Sequence, residues 1–262
     1  MRILFIGDIV GRPGRKMVFE NLPRLIEEKA IDFTIANGEN TSGGFGLTQR
    51  NFSELVDCGV DAFTMGNHIW DNKDIYNYID EEIRLVRPAN YPASDPGRCF
   101  QEFTVQGERL IITNIVGSIY MTPAYDNPFQ AIDALLKQLP CRDEAAIFVD
   151  FHAEATSEKM AMGWFLDGRV SALVGTHTHI QTNDARILPR GTGYLTDAGM
   201  TGPRDSVLGV DKDIIVNRFL TGFSSRFEPA RGDIQMNGVI FDIGSDHRVG
   251  AMELLNFWQP SL

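Results

Sequence analysis

The sequence predicts an α/β protein with sheets flanked by helices, and three features of it point that way. Short apolar runs alternate with segments of helical spacing through the first half of the chain. Strand-like runs dominate the second half. Carboxylate, amide and imidazole residues gather just past the ends of those runs, where open α/β sheets build their sites. With 43 % apolar and 23 % charged residues in 262, the chain can bury a full core. No repeat, low-complexity tract or long linker interrupts it, so a single domain over 1–262 is expected.

The elements follow in order. RILFIG (2–7) is a buried-strand run. GRKMVFENLPRLIEEKA (14–30) has helical spacing, with Pro23 expected to kink or break it. DFTIAN (32–37) and DAFTMGN (61–67) are strands, and LTQRNFSELVDCG (47–59) is a helix closed by Gly59. NKDIYNYIDEE (72–82) and NPFQAIDALLKQL (127–139) are helices. Residues 99–116 form two strands around the turn QGE. AAIFVDFHA (145–153), RVSALVGTH (169–177) and YLTD are strands, and 230–259 is a hairpin around GSDH.

Composition excludes several classes. The three cysteines, Cys58, Cys99 and Cys141, are far apart and form no CxxC pair, which argues against a disulfide framework and a thiolate zinc site. A net charge of −11 would repel duplex nucleic acid. A small phosphate ester stays compatible, because bound cations invert the local field. No segment reaches the roughly 18–20 apolar residues of a membrane span. MRILFIGDIV lacks the features of a signal peptide, so a cytoplasmic location is expected. The apolar stretch MELLNFWQ (252–259) has two readings, packing within the fold or against a second copy in a homo-oligomer.

Five strand exits carry candidate ligands: Asp8; Glu39 and Asn40; Asn67 and His68; His152; His177 and His179. Glycine stands directly upstream at Gly7, Gly38, Gly66 and Gly175, which permits sharp turns out of a sheet. Singly, each has a plainer reading. Asp8 would cap a helix, GEN would be a turn, and His152 would be a structural histidine. Jointly they point to one site. His177 and His179, at i and i+2 of an extended segment, are expected to face the same way. Oxygen and imidazole ligands together suit iron, manganese or zinc. Seven ligands are too many for one ion. Two ions bridged by Glu39, about 3.5–4 Å apart, would use them all.

These blocks, GDIV (7–10), NGEN (37–40), GNH (66–68), FHAE (151–154) and THTH (176–179), resemble the calcineurin-like metallophosphoesterases. MRILFIGDIVGRPGR, ANGENTSGGFGLT, MGNHIWDN and TDAGMTGPRDSVLG further resemble the bacterial YmdB-like branch over nearly the whole chain. The resemblance implies two central mixed β-sheets packed as an α/β/β/α sandwich flanked by helices. It also implies a di-iron or manganese phosphodiesterase acting on cyclic nucleotides. Three departures from the broad family bear on metal identity rather than reaction class. D-x-H stands here as Asp8-Ile9-Val10, and G-D-x-x-D as Gly38-Glu39-Asn40. No acidic residue directly follows Gly66-Asn67-His68. Asn40 is expected to supply the contact that Val10 cannot.

On that resemblance, one ion takes Asp8, Glu39, Asn40 and His179, and the other Glu39, Asn67, His152 and His177. A hydroxide between the ions attacks the ester. His68 is expected to point away from its strand neighbour Asn67 and to protonate the leaving oxygen. Arg204, in the loop 196–209, has two readings, a phosphate contact and an ordinary surface residue. His247 is read as an exposed turn residue. A dinucleotide-binding oxidoreductase is disfavoured, because glycines 7, 11 and 14 do not form G-x-G-x-x-G. A phosphomonoesterase or protein phosphatase, or a ligand sensor without turnover, uses the same residue types and stays open.

Overall fold

The computed structural model describes residues 1–260 apart from 124, 140, 141, 224, 225 and 227, so the expectation for Cys141 lies outside the described residues. The first half runs β1 (Arg2–Ile6), β2 (Asp8–Ile9), α1 (Gly11–Lys29), β3 (Phe33–Asn37), α2 (Gln49–Asp57), β4 (Ala62–Thr64), β5 (Leu85–Val86), β6 (Phe100–Val105) and β7 (Glu108–Val116). It continues with α3 (Pro128–Gln138), β8 (Ala145–His152), α4 (Thr156–Leu166), β9 (Ala172–Thr176), β10 (Arg186–Ile187), β11 (Gly193–Leu195) and β12 (Met200–Pro203). It ends with α5 (Lys212–Thr221), β13 (Ile234–Ile243) and β14 (Val249–Gln259).

These strands form two mixed sheets. In the first, β1, β3, β4 and β5 are parallel. β13 joins antiparallel at the other side of β1, and carries β14 and β12. In the second, β7, β8, β9 and β11 are parallel, with β6 and β10 antiparallel at the edges. Ile3, Phe5, Ile35 and Phe241 of the first sheet meet Leu110, Ile112, Phe148 and Val174 of the second in a fully buried layer. Phe5 and Phe148 touch there with ring centroids 5.1 Å apart. Helices cover the outer faces. α1 buries Met17, Val18, Leu22 and Leu25, the spacing of one helical stripe, against the first sheet. α3 supplies Ile132, Leu135 and Leu136 to a third layer against the second. The sandwich flanked by helices is therefore as the sequence implies.

Several elements differ from expectation. α1 begins at Gly11 and runs unbroken through Pro23. Pro23 removes the donor for the Phe19 carbonyl, and both residues are exposed, so water can replace it. The helix expected over 72–82 shrinks to a 3₁₀ turn at Lys73–Asn77. Beyond it the Asp80 carboxylate accepts the Gly97 amide at 2.7 Å instead of joining a helix. α4, α5, β2, β5, β10 and β12 have no counterpart among the elements expected from the sequence. MELLNFWQ is part of β14, with Leu255 buried and Phe257 packed on the first core, so it packs within the fold. Among the described residues no helix is long and apolar enough to cross a membrane, and Cys58 and Cys99 are free thiols.

Candidate metal centre

The parallel strands of both sheets end on one side, and their exits deliver the candidate ligands to a common pocket. Asp8 opens β2, with only Gly7 between it and β1, and Glu39 and Asn40 follow β3. Asn67 and His68 come after Met65 and Gly66 past β4, in a turn rather than on an extended strand. His152 ends β8. His177 and His179 lie just past β9, and their backbone is not extended: φ is 94° and 64°. The expectation that i and i+2 alternation aligns them is thus corrected. Left-handed backbone turns them instead, a conformation that costs energy in non-glycine residues and is held by surrounding contacts. Thr178, between them, gives its hydroxyl to Asp197 at 2.6 Å and its amide at 3.2 Å. The His177 amide reaches Asp8 at 3.3 Å.

His152 Nε2 is the hub. It lies 2.9 Å from Glu39 Oε1, 3.1 Å from Asn67 Oδ1 and 3.0 Å from His177 Nδ1. Glu39, His152 and His177 offer ligand atoms that all lie within 4.8 Å of one another. The other His152 nitrogen is committed. Thr176 donates its hydroxyl to Asp150 at 2.6 Å, so its oxygen accepts from His152 Nδ1 at 2.9 Å. Such relays fix the tautomer and leave Nε2 for a metal. His179 is organised the same way. Its Nδ1 donates to the Leu208 carbonyl at 3.0 Å, which leaves Nε2 3.8 Å from Asp8 Oδ1. Space is tight as well. A Cβ on Gly66 would come within 2.3 Å of Glu39 Oε2 and 2.5 Å of His152 Nε2, so only glycine fits there.

Electrostatics match this crowding. Burial alone would discharge His152, but the carboxylates of Glu39, Asp8 and Asp150 override it and push its pKa up to about 9. Glu39 resists burial because His152 and His68 face it, and falls to about 2. Burial, then the charge on His152, drives His177 down to about 3. Burial raises the Asp8 carboxyl against the pull of His179 and His152.

The donor set fits bound metal. Asp8 Oδ1 and Asn40 Oδ1 are buried side-chain oxygens with no hydrogen-bond partner among the described residues. Buried orphan acceptors are costly unless a cation satisfies them. Asn40 Nδ2 is held by the Gly44 carbonyl at 2.8 Å, which orients the orphaned oxygen. Oxygen and imidazole donors without thiolate suit iron, manganese or zinc.

His68 belongs to the pocket without joining this cluster. Its amide binds Glu39 Oε2 at 3.1 Å, while its ring donates Nδ1–H to Asp71 at 2.8 Å and meets Phe45 edge-on with centroids 4.9 Å apart. The cavity in front of it holds about 280 Å³, walled by Val10, Phe45, Leu208, Val210 and Pro229, with Glu154 and Glu228 among its polar edges. Among the described residues no lysine or arginine lines it. Arg204 lies elsewhere, its guanidinium 4.3 Å above the Trp258 ring, so the phosphate-contact reading is not met; the loop reaches the cavity through Leu208 and Gly209.

Five supporting residues escape a reading of the sequence by strand exits. Asp150 sits inside β8, buried, where it accepts from Thr176 and, at 3.0 Å, from Asn37. Asp197 is buried against Lys159 at 2.6 Å. Thr176 links Asp150 to His152. Glu154 lies 3.2 Å from His177 Nε2. Asp71, on the turn three residues past His68, accepts its ring proton at 2.8 Å.

Two mixed sheets packed face to face, with helices outside and ligands at the strand exits, make up the metallophosphoesterase architecture. A 5'-nucleotidase precursor of Thermus thermophilus shares it, with a TM-score of 0.59 at 13 % identity over 99 % of this chain and 54 % of that one, a likeness of fold alone. The model of the YmdB-like protein family matches residues 4–254, and the chain belongs to that family. It is 51 % identical over 243 residues, 93 % of this chain and 91 % of the other, to the 2',3'-cyclic-nucleotide 2'-phosphodiesterase of Bacillus subtilis (strain 168). A crystal structure described as a novel phosphatase of Mycoplasma pneumoniae superposes with a TM-score of 0.94 at 34 % identity, over 99 % of this chain and 94 % of that one. A hypothetical protein of Thermus thermophilus gives 0.91 at 41 %, over 100 % of both chains.

Proposed function

We propose that this protein is a cytoplasmic, single-domain metallophosphoesterase that hydrolyses small phosphodiesters, 2',3'-cyclic nucleotides first, with two bound ions. The carrying observation is the pair of buried oxygens on Asp8 and Asn40 that have no hydrogen-bond partner among the described residues, with His179 Nε2 3.8 Å from Asp8 Oδ1. Asp8, Glu39, Asn40 and His179 would hold one ion, and Glu39, Asn67, His152 and His177 the other, iron or manganese, with zinc also compatible. When bound, such a pair supplies an activated water and takes up charge building on the phosphoryl oxygens.

The chain's own residues do the rest. His68 is the proton donor to the leaving oxygen. Its Nδ1–H is engaged by Asp71, which fixes the ring and leaves Nε2 as the working nitrogen. Phe45 restricts the ring from one side. The cavity has carboxylates at Glu39, Glu154 and Glu228 and neither lysine nor arginine among its described residues, so the bound cations are the groups that would meet the ester's negative charge. The substrate itself is inferred from the likeness to the Bacillus enzyme.

The test is turnover of a panel of cyclic diesters, linear diesters and monoesters by wild type and His68→Ala. The diester should be preferred, and the variant should lose about 10²–10⁴ in rate while retaining its metal. A monoester preference would overturn the substrate reading, and an unchanged rate in His68→Ala would overturn the role of His68.

A further inference from the structure

A second cavity opens at the other end of the second sheet, at the entries of the strands whose exits form the metal centre. It holds about 200 Å³. Four arginines from four separate segments line it: Arg142 before β8, Arg169 before β9, Arg190 between β10 and β11, and Arg248 in the β13–β14 turn. This concentration is unusual for a chain with a net charge of −11. Three carboxylates oppose it. Asp133 pairs with Arg169 at 2.5 Å, Asp246 in the wall accepts the Arg248 amide at 3.2 Å, and Asp167 accepts the Arg190 amide at 3.1 Å. Four guanidiniums against three carboxylates leave one positive charge.

Three of the guanidiniums hold no carboxylate among the described residues. Among the described residues Arg142, Arg190 and Arg248 have no ion pair or hydrogen bond from the guanidinium; Arg190 and Arg248 instead pack their stems over Gly168 and Gly191. Assembling like charges around one concavity is unfavourable unless an anion joins them. The floor adds a neutral donor. Ser171 is buried, its oxygen accepts the Ile147 amide at 3.1 Å, and its hydroxyl proton has no acceptor among the described residues. His247 at the rim offers its ring 3.9 Å from Glu108, too far for a hydrogen bond.

We propose that this cavity is a binding site for a phosphate dianion, separate from the metal centre. Guanidinium forks match phosphate oxygens two at a time, which suits them to this ligand better than a carboxylate or halide. The cavity volume accommodates a phosphate group. β8 runs from this cavity to His152, about 23 Å at 3.3 Å per residue, so the two sites cannot share one ligand. The proposal is independent of the reading of the metal centre.

Calorimetric titration of the metal-loaded full chain tests it, with inorganic phosphate, a nucleoside 3'-monophosphate, and chloride at matched ionic strength. Wild type should bind phosphate saturably. Arg190→Ala and Arg248→Ala should each weaken that binding about 10- to 100-fold, the scale of a lost charged hydrogen bond. Hydrolysis of a cyclic diester should change less than twofold, and Arg24→Ala, on the far face of α1, should change nothing. Arg190→Lys and Arg248→Lys, which keep charge but lose the fork, should also weaken binding and guard against misfolding. Equal affinity for both phosphates would identify the free ion as ligand, and tighter nucleotide binding would identify a carried phosphate. Phosphate binding that is unchanged in the Arg190→Ala/Arg248→Ala double variant, or a response no greater than that to chloride, would overturn the site.

Discussion

The two ends of β8 carry opposite chemistry. At its exit, His152 is enclosed by Glu39, Asn67 and His177, with partners fixed by Thr176 and Asp150. At its entry, Ala145 opens onto guanidiniums, three of them without an ion pair among the described residues. The strand between is almost wholly apolar and buried. The exit end is held by buried hydrogen bonds from several elements, whereas the entry end is built from side chains on turns. That difference teaches where precision is needed. Groups that hold a cation must be set to fractions of an ångström, while an open arginine cavity tolerates movement.

Substitutions that strike the two regions unequally sharpen this contrast. The largest effect is expected from Glu39→Ala. It removes the carboxylate shared by both proposed ions, so bound metal should fall, measured by elemental analysis, and turnover should drop by on the order of 10³-fold or more. Metal content and rate equal to wild type would show that the exit cluster does not hold the ions. Next comes Asp197→Ala. It strands the buried Lys159 ammonium and frees Thr178, which pins the histidine loop. Breaking a buried pair this way costs roughly 3–5 kcal/mol, readable as a shift in urea unfolding. A loss below about 1 kcal/mol would mean that the loop is held by something else. The smallest effect is expected from Arg204→Ala. It should leave turnover within twofold and cost about 0.5–1 kcal/mol through the Trp258 contact. A rate loss of tenfold would return Arg204 to the substrate.

The sequence disclosed the proposed ligands better than it disclosed their support. Asp8, Glu39, Asn67, His152, His177 and His179 sit where apolar runs stop, and a stopped strand is visible in one dimension. Asp150 is not, because it lies inside a strand pattern and its partners Asn37 and Thr64 come from the other sheet, 113 and 86 residues away. The histidine pair was found for a reason that does not hold. Strand alternation predicts a shared direction, and the chain reaches it through positive φ at both residues. The α5 helix hides because Ile215 is its one buried residue among those described, so it has no apolar stripe facing a core. The 3₁₀ turn at Lys73–Asn77 shows the reverse, a helical spacing overruled by a side-chain bond to a distant amide.

The position of β13 has a consequence for how the molecule is made. It is the immediate neighbour of β1, pairing Ile6 with Gly238 and Arg2 with Asp242. During synthesis β1 therefore waits, with one edge open, until β13 emerges far later. Contacts this distant along the chain slow folding, and an open edge invites pairing with other chains. The nascent protein should thus depend on chaperones late rather than early, and loss of the final hairpin should abolish the metal centre although that hairpin contributes no ligand to it.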